Sequence, residues 1–250
     1  MPPDTDWIVP QWPVGPKVHA LITTRNGGVS LPPLDTFNLG AQVGDDADAL
    51  RSNRKKLRAR LPAEPYWLRQ VHGTRVVNAG EAVDLPEADA CIATQPDQVC
   101  AVLVADCLPV LLCDRAGTTV AAAHAGWRGL SAGVLENTVA ALPCPAENLL
   151  AYMGPAIGPD AFEVGADVLE VFTQADPGAA DSFRAKSGTP PQERKWLADL
   201  YSLARRRLAR AGVTAVFGGD YCTFRDREQF FSHRRDKRAG RQAALIWLSA

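Results

Sequence analysis

The chain has 250 residues, 46% of them hydrophobic, with 27 basic and 28 acidic side chains and a net charge of -1. That is ample apolar material for a large core, and the even charge argues against a general attraction to nucleic acid or to membrane. No stretch reaches the roughly 18 consecutive apolar residues of a membrane span, and Met1 to Trp7 carries neither the basic nor the apolar region of an export signal, so the cytoplasm is the expected compartment. The six cysteines read as reduced thiols rather than as a disulfide framework. Cys91, Cys100 and Cys113 lie in apolar segments as small buried hydrophobes, and Cys144 sits between two prolines. No Cys-x-x-Cys pair suggests a structural zinc ribbon.

In chain order, Val18 to Thr24 reads as an opening strand, followed by Arg25-Asn26-Gly27-Gly28-Val29-Ser30. Asn-Gly-Gly tolerates positive φ and marks a turn, whose amides beside Arg25 could form an anion-binding nest. Asp48 to Leu61 has helix formers, with Asp46 or Asp48 as cap and Pro62 as stop; its basic residues form a solvated face. Short apolar runs then predict strands over Tyr66–Val71, Thr74–Asn78, Asp89–Thr94, Val99–Ala105, Val110–Cys113 and Thr118–His124. A helix is expected over Leu130–Leu142, with a partly positive N-terminus beside Arg128. Beyond it come a strand at Asn148–Met153, helices at Glu163–Thr173 and Lys195–Ala211, and strands at Val213–Phe217 and Arg241–Leu248. The Pro- and Gly-rich stretch Ala175–Gln192 is the candidate mobile loop. The alternation of strands and helices indicates an α/β fold with a mixed central sheet.

Three of the strand-like segments end in chemistry. His72 follows Tyr66–Val71, Cys107 sits between two apolar runs, and His124 closes Thr118–His124. Two imidazoles and a thiolate form a good zinc set, and three protein ligands leave a fourth position open for water, whose pKa falls to about 7 there. The same atoms permit a metal-free reading with Cys107 as nucleophile and His124 as its base. A third reading leaves the three residues unrelated in space. The arginine-rich segment Arg225–Arg241, with His233, raises nucleic-acid binding as a further possibility, although no recognition motif accompanies it.

The motifs Thr24-Arg25-Asn26-Gly27-Gly28-Val29-Ser30, Phe37-Asn38-Leu39-Gly40, Gln70-Val71-His72-Gly73, Ala105-Asp106-Cys107-Leu108-Pro109, His124-Ala125-Gly126-Trp127-Arg128-Gly129, Gly154-Pro155-Ala156-Ile157-Gly158-Pro159 and Gly240-Arg241 together resemble the YfiH-type family of laccase-like proteins and purine nucleoside phosphorylases. The resemblance extends over nearly the whole chain. It implies one α-β-α layered catalytic domain spanning residues 1–250, with a metal on His72, Cys107 and His124, usually zinc and in some readings copper. It also implies phosphorolysis of adenosine, inosine, guanosine and methylthioadenosine, together with deamination of adenosine. His233 and Ala239 depart from the family pattern, where relatives often carry Tyr or Phe and Thr.

Within that resemblance, the catalytic candidates are Cys107, His124, His72 and Asp106, with the more distant Glu163 as another proton carrier. Phosphorolysis needs cationic groups and amides around phosphate, for which Arg25, Arg69 and Arg128 are candidates, with Asn38 as a further binding residue. Trp127, Tyr152 and Phe162 are the aromatic candidates for stacking on a purine. Three other functions stand beside this one: copper-dependent polyphenol oxidation, a Cys/His hydrolase including one that edits cell-wall precursors, and a zinc-stabilised nucleic-acid-binding module. A classical multicopper oxidase holds its copper cluster almost wholly with imidazoles, and this chain has four histidines, two of them already in the trio. The sequence does not determine an oligomeric state.

Overall fold

A computed structural model describes residues 6–81, 84–188, 190 and 194–250. Its strands are β1 (Val18–Ile22), β2 (Pro65–Tyr66), β3 (Val76–Asn78), β4 (Ala90–Ala93), β5 (Val99–Val104), β6 (Leu108–Asp114), β7 (Val120–Ala125), β8 (Leu149–Met153), β9 (Glu163–Val164), β10 (Phe183–Ala185), β11 (Trp196–Ala198), β12 (Ala215–Gly218) and β13 (Gln242–Leu248). The α-helices are α1 (Ala47–Arg58), α2 (Trp127–Ala132), α3 (Val134–Ala141), α4 (Ala166–Ala175), α5 (Leu200–Arg210) and the single turn α6 (His233–Asp236). No helix among the described residues is long and apolar enough to cross a membrane.

The mixed α/β class expected from the sequence is found, with the strands divided between two large sheets and one small one. One large sheet runs β12-β8-β6-β7-β4-β3 and the other β1-β13-β5-β2, while β10-β11-β9 forms the third. Both large sheets are mixed: β3–β4, β8–β12 and β2–β5 are parallel pairs and the others antiparallel.

The unbroken apolar runs are explained by two-sided burial. Leu111 and Cys113 of β6, Val120 and Ala122 of β7, and Leu150 of β8 pack against Val102, Ala244 and Ile246 of the facing sheet. Their alternates, Val110 and Leu112, Ala121 and Ala123, and Ala151, turn the other way onto α3, α4 and α5 through Val134, Leu135, Val168, Phe172, Leu203 and Leu208. On the outer face of the smaller large sheet, Ala101 and Leu245 meet Leu57 of α1 together with Phe37 and Leu39.

Helix α1 begins where Asp46 accepts hydrogen bonds from the amides of Asp48 and Ala49 at 3.0 and 2.9 Å, as its capping chemistry predicts. Its inward face carries a buried polar residue, Asn53. The Asn53 amide donates to Ser30 Oγ, the Thr36 carbonyl and the Asn38 carbonyl at 2.9, 3.1 and 2.9 Å, and its oxygen accepts from the Val29 amide at 3.0 Å. This one side chain ties the 29–38 loop to the helix.

Several expected elements differ. The strand at Tyr66–Val71 survives only as Pro65–Tyr66. Beyond it the Gln70 side chain takes the place of a paired backbone unit, donating to the Leu103 carbonyl and accepting from the Leu103 amide, both at 2.8 Å. The helix at Leu130–Leu142 is two helices, α2 and α3, because Gly133 adopts φ 104° between them. The helices at Glu163–Thr173 and Lys195–Ala211 each open with a short strand, β9 and β11, which pair with one another before the helical turns begin. The expected mobile stretch Ala175–Gln192 contains a 3₁₀ segment, Pro177–Ser182, and strand β10; residues 189 and 191–192 of it lie outside the described residues.

Asn53→Ala should leave the Val29 amide, the Ser30 hydroxyl and the Thr36 and Asn38 carbonyls without this partner and lower stability by about 2–3 kcal/mol, since an unsatisfied buried group costs about 1–3 kcal/mol. Urea denaturation would register it as a lower midpoint with an unchanged slope.

Candidate metal centre

The chain crosses between the two facing sheets in the turn from β5 to β6, and Cys107 is the last residue of that turn. His124 lies on β7 beside β6, and His72 lies in the segment between β2 and β3. The fold thus brings the three predicted residues together: one ligand atom from each, Cys107 Sγ and an imidazole nitrogen from each histidine, lie within 4.8 Å of one another. Cys107 Sγ is 3.7 Å from His72 Nε2, and the two imidazoles meet edge to face with centroids 4.8 Å apart. Zinc bonds of about 2.3 Å to sulfur and 2.0–2.1 Å to nitrogen, at tetrahedral angles, set a sulfur–nitrogen distance of roughly 3.6 Å. The donor set therefore fits a metal ion of that size. His124 is buried, Cys107 half-buried and His72 exposed, so the set is graded from floor to mouth.

The carboxylate that meets both histidines is Asp89, fully buried at the entry to β4, where the sequence predicts only a strand residue. Its carboxylate accepts from His124 Nδ1 at 2.8 Å and from the amides of His72, Gly73 and Val71 at 2.9, 2.7 and 3.2 Å. Burial alone would raise its pKa, but the His124 contact and these amides hold it below the ordinary carboxylate value. The available signal was a lone acidic residue inside the apolar segment Ala88-Asp89-Ala90-Cys91. With Nδ1 committed to Asp89, His124 presents Nε2 to the site.

Two residues here have left-handed backbones, His72 at φ 60° and Asp106 at φ 89°. Such positions cost about 1–3 kcal/mol and persist where surrounding bonds over-determine them. Asp106, the expected proton carrier, supplies such bonds: its carboxylate accepts from Thr223 Oγ1 and the Arg234 amide, both at 2.6 Å, and its carbonyl accepts from the Ile157 amide. It faces the C-terminal segment and aims Cys107. Gly126 is required by close approach, because a Cβ there would stand 2.9 Å from both Cys107 Sγ and His72 Cδ2.

The three residues open into a cavity of about 520 Å³. Its walls include Arg128, Arg241, His233, Arg54, Trp67 and Gln70. Arg128 is the one expected phosphate residue that reaches it, with its guanidinium over the Trp127 ring at 4.5 Å. Arg241, of the Gly240-Arg241 motif, is a further cation on this wall, with no role evident from the sequence; one of its nitrogens donates to the carbonyls of Ala239 and Gly240, and burial lowers its pKa while Cys107 and Asp106 oppose that shift. Trp67 is the aromatic wall, with Arg54 stacked on it at 4.4 Å.

The other expected binding residues lie elsewhere. Arg25 is tied to Asp35 and to the Arg227 carbonyl, and the glycine turn forms no nest, since the Gly28 and Val29 amides bond Thr36 and Asn53. Buried Asn38 bonds Gly40, Asp45 and the Arg241 amide, holding the segment that carries Arg241. Arg69 pairs with Glu87 on the surface, and Glu163 with Lys186. Trp127 and Phe162 pack with the core beneath α3–α5, and Tyr152 lies between the sheets against Trp12. Helix α2 is a six-residue piece that begins at Trp127, so Arg128 lies in its first turn rather than ahead of one long helix. The basic C-terminal segment is largely engaged internally: Arg234, Arg235 and Arg238 bond backbone carbonyls, and Arg225 bonds Asp226.

Burial pushes the Cys107 thiol up, but the two imidazoles, His124 foremost, outweigh it and bring the thiol down from 9.0 to about 6. Burial would lower His124, yet the Cys107 thiolate and the Asp89 bond raise it from 6.5 to about 9. Each partner thus favours the charged form of the other, a thiolate on Cys107 and a proton on His124. The remaining histidines do not extend the set: His19 stacks on Trp247 and His233 stands on the cavity wall.

Fold and site together define a mixed α/β protein with a His-Cys-His group that could hold a metal ion at the base of a cationic cleft. Residues 19–249 match the family described as multi-copper polyphenol oxidoreductase laccase. The chain is 55% identical over 244 residues to the purine nucleoside phosphorylase YfiH of Escherichia coli (strain K12), covering 96% of this chain and 98% of that one. It is 52% identical over 242 residues to a purine nucleoside phosphorylase of Pseudomonas aeruginosa, covering 97% and 98%. Among solved structures, a Neisseria meningitidis protein of the DUF152 family superposes with a TM-score of 0.93 at 51% identity, covering 98% of this chain and 100% of that one. YlmD from Geobacillus stearothermophilus superposes at 0.88 and 28% identity, covering 98% and 96%. The chain belongs to this laccase-like YfiH/DUF152 family.

In metal-free protein, alkylation of Cys107 by iodoacetamide should follow a titration midpoint near 6, against 9.0 for an ordinary thiol. A zinc-loaded sample should resist the reagent across the same pH range. Gly126→Ala should abolish metal uptake, measured by elemental analysis, while leaving the far-ultraviolet circular dichroism unchanged.

Proposed function

We propose that residues 1–250 form one catalytic domain, a zinc-dependent purine nucleoside phosphorylase of the cytoplasm that acts on adenosine, inosine, guanosine and methylthioadenosine and also deaminates adenosine. The observation that carries this reading is the convergence of His72, Cys107 and His124 on the same cavity as the guanidinium groups of Arg128 and Arg241. The names of the relatives support the substrate class.

His72 Nε2, Cys107 Sγ and His124 Nε2 would hold the metal. Zinc bound by three protein ligands supplies Lewis-acid chemistry at an open position. Arg128 and Arg241 hold phosphate through charge-assisted hydrogen bonds as it approaches C1′ of the ribose. Trp67 and Leu103 form the apolar wall for the purine. When the glycosidic bond breaks, the leaving base takes a proton. No carboxylate is among the described residues lining the cavity, so His233 is the donor in this reading. For deamination the same imidazole is the proton carrier, in place of the glutamate that other zinc deaminases use.

A metal-free thiol hydrolase is the second reading, and one observation favours it: Cys107, His124 and Asp89 stand as nucleophile, base and orienting carboxylate.

Incubating adenosine with and without phosphate separates these chemistries. Free adenine released only with phosphate, inosine formed in either case, and loss of both after chelation or in Cys107→Ala are the expected results. Activity that survives chelation and depends on Cys107 would favour the thiol reading. Arg241→Ala and Arg128→Ala should each raise the KM for phosphate roughly 10- to 100-fold, the equivalent of one charged hydrogen bond, while bound metal is unchanged. Unchanged phosphate kinetics in both would remove the cations from the reading.

A further inference from the structure

Both histidines of the trio are held by hydrogen bonds to one residue outside it, Asp89. Its Oδ1 accepts from both His124 Nδ1 and the His72 amide, and its Oδ2 from the amides of Gly73 and Val71. Its backbone joins the same arrangement, the Asp89 carbonyl accepting from the His124 amide at 2.7 Å. One buried side chain thus fixes the ring of one histidine and the left-handed backbone of the other.

We propose that Asp89 is the positioning residue for the two histidines of the metal set, governing metal retention through both ligands at once. The proposal rests on the metal reading of the site and not on the identity of the substrate. All four groups facing the carboxylate are N–H donors, so both oxygens must be acceptors. Asparagine cannot meet that demand in either orientation. With its NH₂ toward Val71 and Gly73, it opposes two backbone donors that hold His72. With its NH₂ toward His124, it opposes the His72 amide and donates to Nδ1, which moves the imidazole proton to Nε2 and removes the lone pair aimed at the metal. Either orientation disables one histidine ligand. Glutamate extends the carboxyl by a methylene inside a fully buried position and cannot keep the same four bonds.

The test compares zinc affinity of the wild-type chain and Asp89→Asn by competition with a chromophoric chelator, with thermal unfolding of both metal-free proteins alongside. Loss of such an orienting partner typically weakens metal binding roughly 10- to 100-fold, and that loss is expected here. Unchanged zinc affinity with a lowered unfolding temperature would make Asp89 a purely structural residue and overturn the proposal. Should Asp89→Asn fail to fold, long-range ¹H–¹⁵N spectra of the zinc-loaded wild-type chain decide. A proton on His124 Nδ1 with the metal on Nε2 supports the assignment, and metal on Nδ1 overturns it. Zinc retention that depends on Asp89, in a chain that turns over no nucleoside, would sink the proposed activity and leave this inference standing; a wild-type chain that binds no zinc would sink both.

Discussion

The buried Asp89 carboxylate, surrounded by four N–H donors, is the interaction on which the centre depends. A carboxylate without partners in such a place would be expensive, whereas one that accepts from an imidazole and three amides keeps its charge and imposes geometry on its donors. Its position follows from strand register. Ala90 of β4 pairs with Ala123 of β7, which sets Asp89 beside His124 at the adjoining step. A shift of one residue would turn the carboxylate to the opposite face and remove it from both histidines. The chemistry of the cleft is in this sense a consequence of sheet pairing deep in the core.

The second constraint is the crossing between the facing sheets. Strand β5 belongs to one sheet and β6 to the other, so the short turn holding Ala105, Asp106 and Cys107 must redirect the chain within three residues. Asp106 makes this possible with a left-handed backbone and a carboxylate held by Thr223 and the Arg234 amide. The Gly154–Pro159 loop supports it from behind through the Ile157 amide, while Tyr201 fixes that loop by accepting from the Ala156 amide and donating to neighbouring carbonyls. The C-terminal segment is consequently part of the site's framework. Its arginines stitch backbone carbonyls together, and Arg241, at the start of β13, is delivered into the cleft with its amide on Asn38.

These two constraints account for the division of labour in the cavity. Thiol and imidazoles converge where the sheets meet, and cations arrive from distant parts of the chain, Arg128 from α2 and Arg241 from the residue before β13. A cleft of this composition suits a substrate with one anionic and one flat apolar part, such as phosphate and a purine. The contacts that place Asp89, His124 and Cys107 for a metal also leave a thiol beside an imidazole that a carboxylate orients.

The linear sequence determined the α/β class, most of the core strands and the identity of the trio. Apolar runs buried on both faces and chemistry-bearing residues at their ends are local patterns, visible without a fold. Where residues belong to each other across the sheets was decided only by tertiary structure. Asp89 looked like one polar residue in a strand, because its four donors come from segments 16–35 positions away along the chain. Arg25, Asn38 and Arg69 looked like phosphate ligands because their charge and motifs are local, while the partners that occupy them, Asp35, Asp45 and Glu87, are set by folding. Arg241, Arg54 and Trp67 became a cavity wall only when β13, α1 and the segment after β2 closed around one space. Hydrophobic periodicity reports which side of an element is buried; it carries no information about which distant polar group waits there.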